Sequence, residues 1–289
     1  MRWVGNRWVQ IPLAVLLLVA LVYFLDAQRL LALWTATPWW RLGAVLLMAM
    51  VGLAIQWTKW GGLVRAFAPG ISSRQIGRSI FAGFALGLFS PGRLGELGRG
   101  VFLPGDRASY TALAVGDRLL SFGITACLGG LGGWLSGALP GVVLLLLLIA
   151  AGSLTFMLGR WAWPYFEKRL APLRVCRSLG SRPWLRAGFF SFLFNLTFIA
   201  QFILLARGWG ELPFAAWGGV PLIYTLKALL PLSFLELGVR EGAAVWVFAR
   251  LGLDPAVAFS AALGVFGFNV LLPGAVGLFV GTPKAGSAE

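Results

Sequence analysis

The chain contains no histidine, and only 10 of its 289 residues are acidic. Without imidazole it lacks the commonest general base near neutral pH and the commonest metal ligand. Its two cysteines are far apart, Cys127 in an apolar run and Cys176 in a basic loop, so neither a metal cluster nor a disulfide is expected. No nucleotide-binding motif is present. The expectation is therefore no catalytic residues, no metal and no cofactor. Charge is scarce too: 12% of residues are charged, about half the share of a soluble domain. No continuous polar stretch is long enough for a separate soluble domain.

What the chain does have is apolar length. It is 59% hydrophobic with a mean hydropathy of +0.84, and runs such as 141–158 and 187–206 approach the ~20 residues that cross a bilayer. This predicts an all-α polytopic membrane protein, a single transmembrane domain over 1–289. About six spanning helices are expected, near 11–27, 41–64, 108–134, 140–158, 185–206 and 256–281. Arg2 and Arg7 precede the first run, but no small-residue cleavage site follows it, so it reads as an uncleaved span. Two further segments, about 79–104 and 215–253, are apolar but broken by Gly, Pro and charge. These suit re-entrant helical hairpins, whose free backbone groups must meet protein or cavity water.

The net charge of +14 would suggest nucleic acid in a soluble protein. In a membrane protein it fits cytoplasmic basic loops and anionic headgroups, with no nucleic acid partner. Residues 160–186 carry Arg160, Lys168, Arg169, Arg174, Arg177, Arg182 and Arg186 against Glu167 alone, and 65–78 carry Arg65, Arg74 and Arg78 with no acid. Putting both segments and the N-terminus in the cytoplasm satisfies the charge rule. The protein is then a multi-pass component of a bacterial or archaeal plasma membrane. The segment 65–78 reads as a short amphipathic surface helix. The first hairpin then enters from the cytoplasm and the second from outside. That is the pattern of an inverted-topology repeat, about 8–136 and 138–283. The alternative is chance recurrence in a Leu/Gly-rich chain.

The hairpins hold the most informative residues. Ser90 to Arg99 and Pro231 to Gly242 each contain Glu-Leu-Gly followed within two residues by Arg. A charge at membrane depth costs roughly 2.5–3.5 kcal/mol on insertion scales, so it persists only if paired, hydrated or useful. On a helix, Arg93, Glu96 and Arg99 are i,i+3 neighbours, with the acid between two guanidiniums. This is either a self-neutralising ion network or a phosphate site, in which Glu96 orients the planar Arg forks. Gly92, Gly95 and Gly98 permit close approach, and Pro91 marks where a half-helix would begin. In the second element Glu236 and Arg240 stand i,i+4, and Glu241 is expected to face a basic residue of the other repeat. Lys227 either points into the same cavity or snorkels to an interface. Asp117 and Arg118 lie about ten residues into the third span and diverge by roughly 100°, so at least one needs a partner elsewhere. Arg118 is expected to face the first hairpin. Asn195 and Gln201 read as interhelical hydrogen-bonding residues, Asp26 as a helix-end residue, and tryptophans such as Trp34, Trp39 and Trp40 as interfacial anchors.

At these residues the chain resembles the flippase-like family typified by the transmembrane region of lysylphosphatidylglycerol synthase, over about residues 8–281. A first block, P-G-x-x-G-E-x-x-R, is matched by Pro91, Gly92, Gly95, Glu96 and Arg99. An acid–Arg pair within a helix is matched by Asp117 and Arg118. A third block, P-x-S-x-G-G-x-G-x-R-E-G, is matched by Pro231, Ser233, Gly238, Arg240, Glu241 and Gly242. Two departures stand out: Leu235-Glu236 replace two glycines, and Ser121 stands where a second acid often follows. The resemblance implies movement of a lipid, or a lipid-linked headgroup, between leaflets by a stand-alone membrane module. It also suggests a lipid-modifying enzyme as a partner, since family members are fused to or encoded beside such enzymes.

The sequence-based expectation is a flippase for membrane lipids with anionic or phosphate-bearing headgroups. Its expected binding residues are Arg93, Glu96, Arg99, Asp117, Arg118, Lys227, Ser233, Glu236, Arg240 and Glu241. The alternative is an integral-membrane transferase or hydrolase acting on polyprenyl-phosphate-linked substrates.

Overall fold

A computed structural model describes residues 16, 19–90, 92–140, 174–229 and 237–280. Every regular element among them is helical. In chain order these are α1 (Ala27–Thr35), α2 (Trp39–Phe67), α3 (Ser73–Leu88), a 3₁₀ segment (Leu94–Phe102), α4 (Arg107–Leu135), α5 (Arg174–Ser178), α6 (Ser181–Ala206), α7 (Phe214–Leu229), α8 (Val239–Arg250), α9 (Pro255–Phe266), a π-helical turn (Gly267–Leu271) and α10 (Leu272–Val280).

Among the described residues, four helices are long and apolar enough to span a membrane: Trp39–Phe67, Arg107–Leu135, Ser181–Ala206 and Pro255–Phe279. They fall where hydropathy places spans at 41–64, 108–134, 185–206 and 256–281. The span expected at 140–158 and most of 11–27 lie outside the described residues. The segment 65–78 is not an independent surface helix. Arg65 belongs to the last turn of α2, and Ser72 starts α3 through a capping box, in which its Oγ accepts from the Gln75 amide (3.3 Å) while Gln75 Oε1 accepts from its own amide (2.9 Å).

Local chemistry sets the other boundaries. Asp106 caps α4, accepting from the Ala108 and Ser109 amides at 3.1 and 3.3 Å. Asp254 caps α9 ahead of Pro255 and takes Arg29 at 2.5 Å. Asp26 caps α1.

Contacting residues fix the helix directions. Val45, Gly52 and Lys59 of α2 meet Gln201, Thr197 and Ser191 of α6, so these two helices run antiparallel. Along α4 and α6, Gly116, Ser121 and Thr125 meet Trp184, Ser191 and Asn195, which makes that pair parallel. Thr125 and Gly132 of α4 meet Thr225 and Gly218 of α7, antiparallel. Gly274 and Gly277 of α10 meet Leu88 and Phe81 of α3, also antiparallel. The small residues on α4 and α10 allow this backbone-to-backbone proximity, which replaces the hydrophobic drive that is absent between helices in lipid. α6 thus runs opposite to α2, α7 opposite to α4, and α10 opposite to α3. α3 packs on α10, and α7 on α4.

The π turn carries Asn269, which donates to Gln201 Oε1 (2.8 Å), while Gln201 donates to the Val45 carbonyl (3.0 Å). One polar chain therefore ties the last span to α6 and α2. Gln201 and Asn195 have the interhelical roles expected of them.

Candidate functional site

The first hairpin is built by glycine and one arginine. After α3 the chain turns through Gly92 and Arg93, both at positive φ (53° and 55°). The 3₁₀ segment then folds back along α3. Its fit is close: a Cβ on Gly95 would lie 2.3 Å from the Leu86 carbonyl oxygen, and one on Gly83 would lie 2.9 Å from Arg99 Cβ. From α4, Arg118 donates to the Gly92 carbonyl (2.7 Å) and the Arg93 carbonyl (3.2 Å) and lies 3.6 Å from Glu96 Oε2. Arg118 does face the hairpin, and it holds the left-handed turn.

Between this hairpin, α2, α4, α6 and α7 lies a cavity of about 230 Å³, far above the ~10–15 Å³ that one water needs. Gln56 and Lys59 line it from α2, Arg93, Glu96 and Arg99 from the hairpin, Asp117, Arg118, Ser121 and Thr125 from α4, and Lys227 from α7. Asp117 is ten residues into the 29-residue α4, about 15 Å from its start at 1.5 Å per residue.

The charges are wired tightly. Asp117 is bonded to Arg99 Nη2 (2.6 Å) and lies 2.9 Å from Lys59 Nζ. Lys59 donates to the Ser121 and Ser191 hydroxyls at 3.0 and 3.3 Å. The guanidinium of Arg99 stacks 3.8 Å over the Trp60 ring, the geometry of a desolvated cation–π contact. Arg93 pairs with Glu96. Glu96 therefore sits between Arg93 and Arg118 rather than between Arg93 and Arg99. A 3₁₀ segment and a neighbouring helix offer a buried carboxylate, Asp117, that the single-helix template omits.

Four buried polar atoms on the lining residues have no hydrogen-bond partner in the protein: Gln56 Oε1, Arg93 Nε, Arg99 Nε and Asp117 Oδ1. Such groups are costly when orphaned. The Lys59–Asp117 contact is thus an ion pair by distance without the alignment of a hydrogen bond.

The second element is arranged differently. Arg240 pairs with its neighbour Glu241, which also accepts from the Gly238 amide at 2.8 Å, and Arg240 stacks 4.4 Å over Phe266. Both side chains are buried at the start of α8 and neither lines the cavity. The expectation that Glu241 faces a basic residue of the other half is corrected: its carboxylate turns back onto its own helix start, accepting from the Gly238 amide and from Arg240. Ser233 and Glu236, and with them the expected Glu236–Arg240 pair, lie outside the described residues, as does Pro91. Two lining residues that sequence reasoning missed are Lys59 and Gln56. A lone lysine in the middle of an apolar helix was the available signal, since a buried ammonium calls for a counter-charge.

A family model described as lysylphosphatidylglycerol synthase TM region matches residues 8–277, so the chain belongs to that family. Comparison with curated proteins and with solved structures gave no match.

Proposed function

We propose that this family member moves a phosphate-bearing lipid headgroup between leaflets, with the central cavity as its headgroup site. One observation carries the reading. Among the described residues other than Lys227, four cationic side chains (Lys59, Arg93, Arg99 and Arg118) face two carboxylates (Glu96 and Asp117) around one cavity. The surplus, four minus two, is two positive charges. A phosphodiester carries one negative charge and several acceptor oxygens, which guanidinium forks bind well. The acyl chains can stay in hydrocarbon, so the barrier to lipid movement is the headgroup, and a wet cationic cavity lowers it.

The opposite directions of α2 and α6 support an inverted-topology repeat with re-entrant hairpins, in which the halves move about the fixed site and expose it alternately. α2 ends and α6 begins at the same end of the molecule. That end carries Arg65, Arg74, Arg78, Arg174, Arg177, Arg182 and Arg186, so we orient it to the cytoplasm of a plasma membrane. A lipid-modifying enzyme, if it docks, would meet this basic end.

The test is proteoliposomes holding headgroup-labelled phosphatidylglycerol, with the inner-leaflet pool read by chemical quenching. Wild type is expected to exchange the label between leaflets, and Arg118→Gln and Lys227→Gln to slow exchange about tenfold, the effect of losing ~1.4 kcal/mol of headgroup binding. Equal rates in all three proteins would overturn the assignment.

A further inference from the structure

A second cavity, about 780 Å³, lies at the end where α2 finishes and α6 begins. Its charged lining among the described residues is Lys59, Arg65, Arg182 and Arg186, with no carboxylate among them. Arg182 and Arg186 stand i,i+4 on one face of α6 and are exposed, an arrangement that costs repulsion unless an anion relieves it. Arg65, opposite them in the last turn of α2, donates to Ser73 Oγ (2.7 Å), which fixes its guanidinium. The apolar part of the lining includes Trp57, Ala66 and Ala187.

Lys59 lines both cavities. Its side chain is 2% exposed and forms part of the wall between them. It lies eight residues, about 12 Å, from the end of α2. Beyond it sit Asp117 and Arg99. From the surface inward, the cations are therefore stacked as Arg182, Arg186 and Arg65, then Lys59, then Arg99.

We propose that the outer cavity is a docking site for a phosphate ester, that Arg65, Arg182 and Arg186 bind it, and that the docked ester passes on beside Lys59 to the central cavity. The last clause rests on reading the central cavity as a headgroup site. The docking itself does not. The shared chemistry is a phosphate anion, carried either by an anionic lipid headgroup or by a soluble phosphate ester.

The test uses the full chain with Cys127→Ser and Cys176→Ala, and Ala66→Cys as a reporter on the cavity wall. It is placed in nanodiscs of phosphatidylcholine or of equal parts phosphatidylcholine and phosphatidylglycerol. A neutral maleimide reads accessibility, and Gly70→Cys, nearby but off the cavity lining, corrects for surface effects. Phosphatidylglycerol is expected to slow labelling at Ala66→Cys about threefold or more, as occupancy by mass action requires at two dissociation constants, with no change at Gly70→Cys. Adding Arg182→Gln and Arg186→Gln is expected to remove the protection. Both side chains are exposed, so their loss leaves the fold intact. Equal protection by inorganic phosphate in phosphatidylcholine discs assigns the site to soluble phosphate esters, whereas protection by phosphatidylglycerol alone assigns it to lipid. Unprotected labelling in both discs, or protection that survives the double substitution, overturns the docking site. If the docking site is protected but the wild-type protein does not exchange lipid between leaflets, the transport reading falls and the docking site stands.

Discussion

Lys59 and Asp117, 58 positions apart in sequence, bring an ammonium and a carboxylate to 2.9 Å with side chains 2% and 4% exposed. Arg99 completes the triad at 2.6 Å from the other carboxylate oxygen. One acid thus holds two cations from two different elements, and it is the fixed point around which the cavity is built.

Removing that acid is expected to be costly. Asp117→Asn keeps the shape but leaves Lys59 and Arg99 without their shared counter-charge, and breaking a buried pair costs roughly 3–5 kcal/mol. Thermal unfolding in detergent should show a large drop in Tm for Asp117→Asn and a smaller one for Asp117→Glu. A Tm for Asp117→Asn equal to wild type would mean the triad contributes nothing to the fold.

Arg118 acts on the turn rather than on the core. Its side chain is 35% exposed, so Arg118→Gln is expected to cost only about 1.5 kcal/mol, the low end for hydrogen bonds to charged groups. Its signature is local. Amide exchange in the turn at residues 92–96 should accelerate while α2 and α6 stay protected.

Two glycines in the same region should behave oppositely. Gly95→Ala drives a methyl into the Leu86 carbonyl at 2.3 Å and forces the 3₁₀ segment off α3, a clash expected to cost about 1–3 kcal/mol. Gly123→Ala meets nothing within 4 Å in the interior of α4, where alanine is favoured over glycine by up to ~1 kcal/mol. Denaturation midpoints should move down for the first and stay level or rise for the second.

The start of α4 carries a pH-sensitive cap outside the span. The Ser109 hydroxyl, and then the Ser109 and Ala108 amides, hold the Asp106 carboxyl below the usual carboxylate range. A lowered folded pKa means the cap's contribution is complete above the unfolded value, about 3.9, and is lost as pH falls through the folded one. Amide protection of residues 107–110, corrected for intrinsic rates, should be flat from neutral pH down to about 4 and fall below it. Asp106→Asn should remove the step.

Hydropathy located the long helices well because their ends coincide with strong local signals, such as Trp39 after Pro38, Asp106 before α4, and Asp254-Pro255 before α9. The hairpin break was legible in Gly92, Gly95 and Glu96. The wiring of the charges was not. Spacing along one helix pairs Arg99 with Glu96, but Gly83 and Gly87 on α3 let the 3₁₀ segment settle so that Arg99 reaches α4 instead. Arg240 looked like a second phosphate ligand, since its motif matches the first, yet the buried carboxylate of Glu241 at the next position claims it. Lys59 went unread because it belongs to no motif; only its depth in an apolar helix marks it.

The π turn at Gly267–Leu271 has a consequence for the last span. A π turn inserts one residue without lengthening the helix by a full turn, so everything after it is rotated by about 100° relative to a continuous α-helix. That offset lets α9 bury its faces in the core while α10 shows Gly274 and Gly277 to the first hairpin. Deleting a single residue there would leave the hydropathy of the span untouched and yet swing both glycines away from Leu88 and Phe81, so that the hairpin carrying Glu96 and Arg99 would lose its seat through a change of angular phase alone.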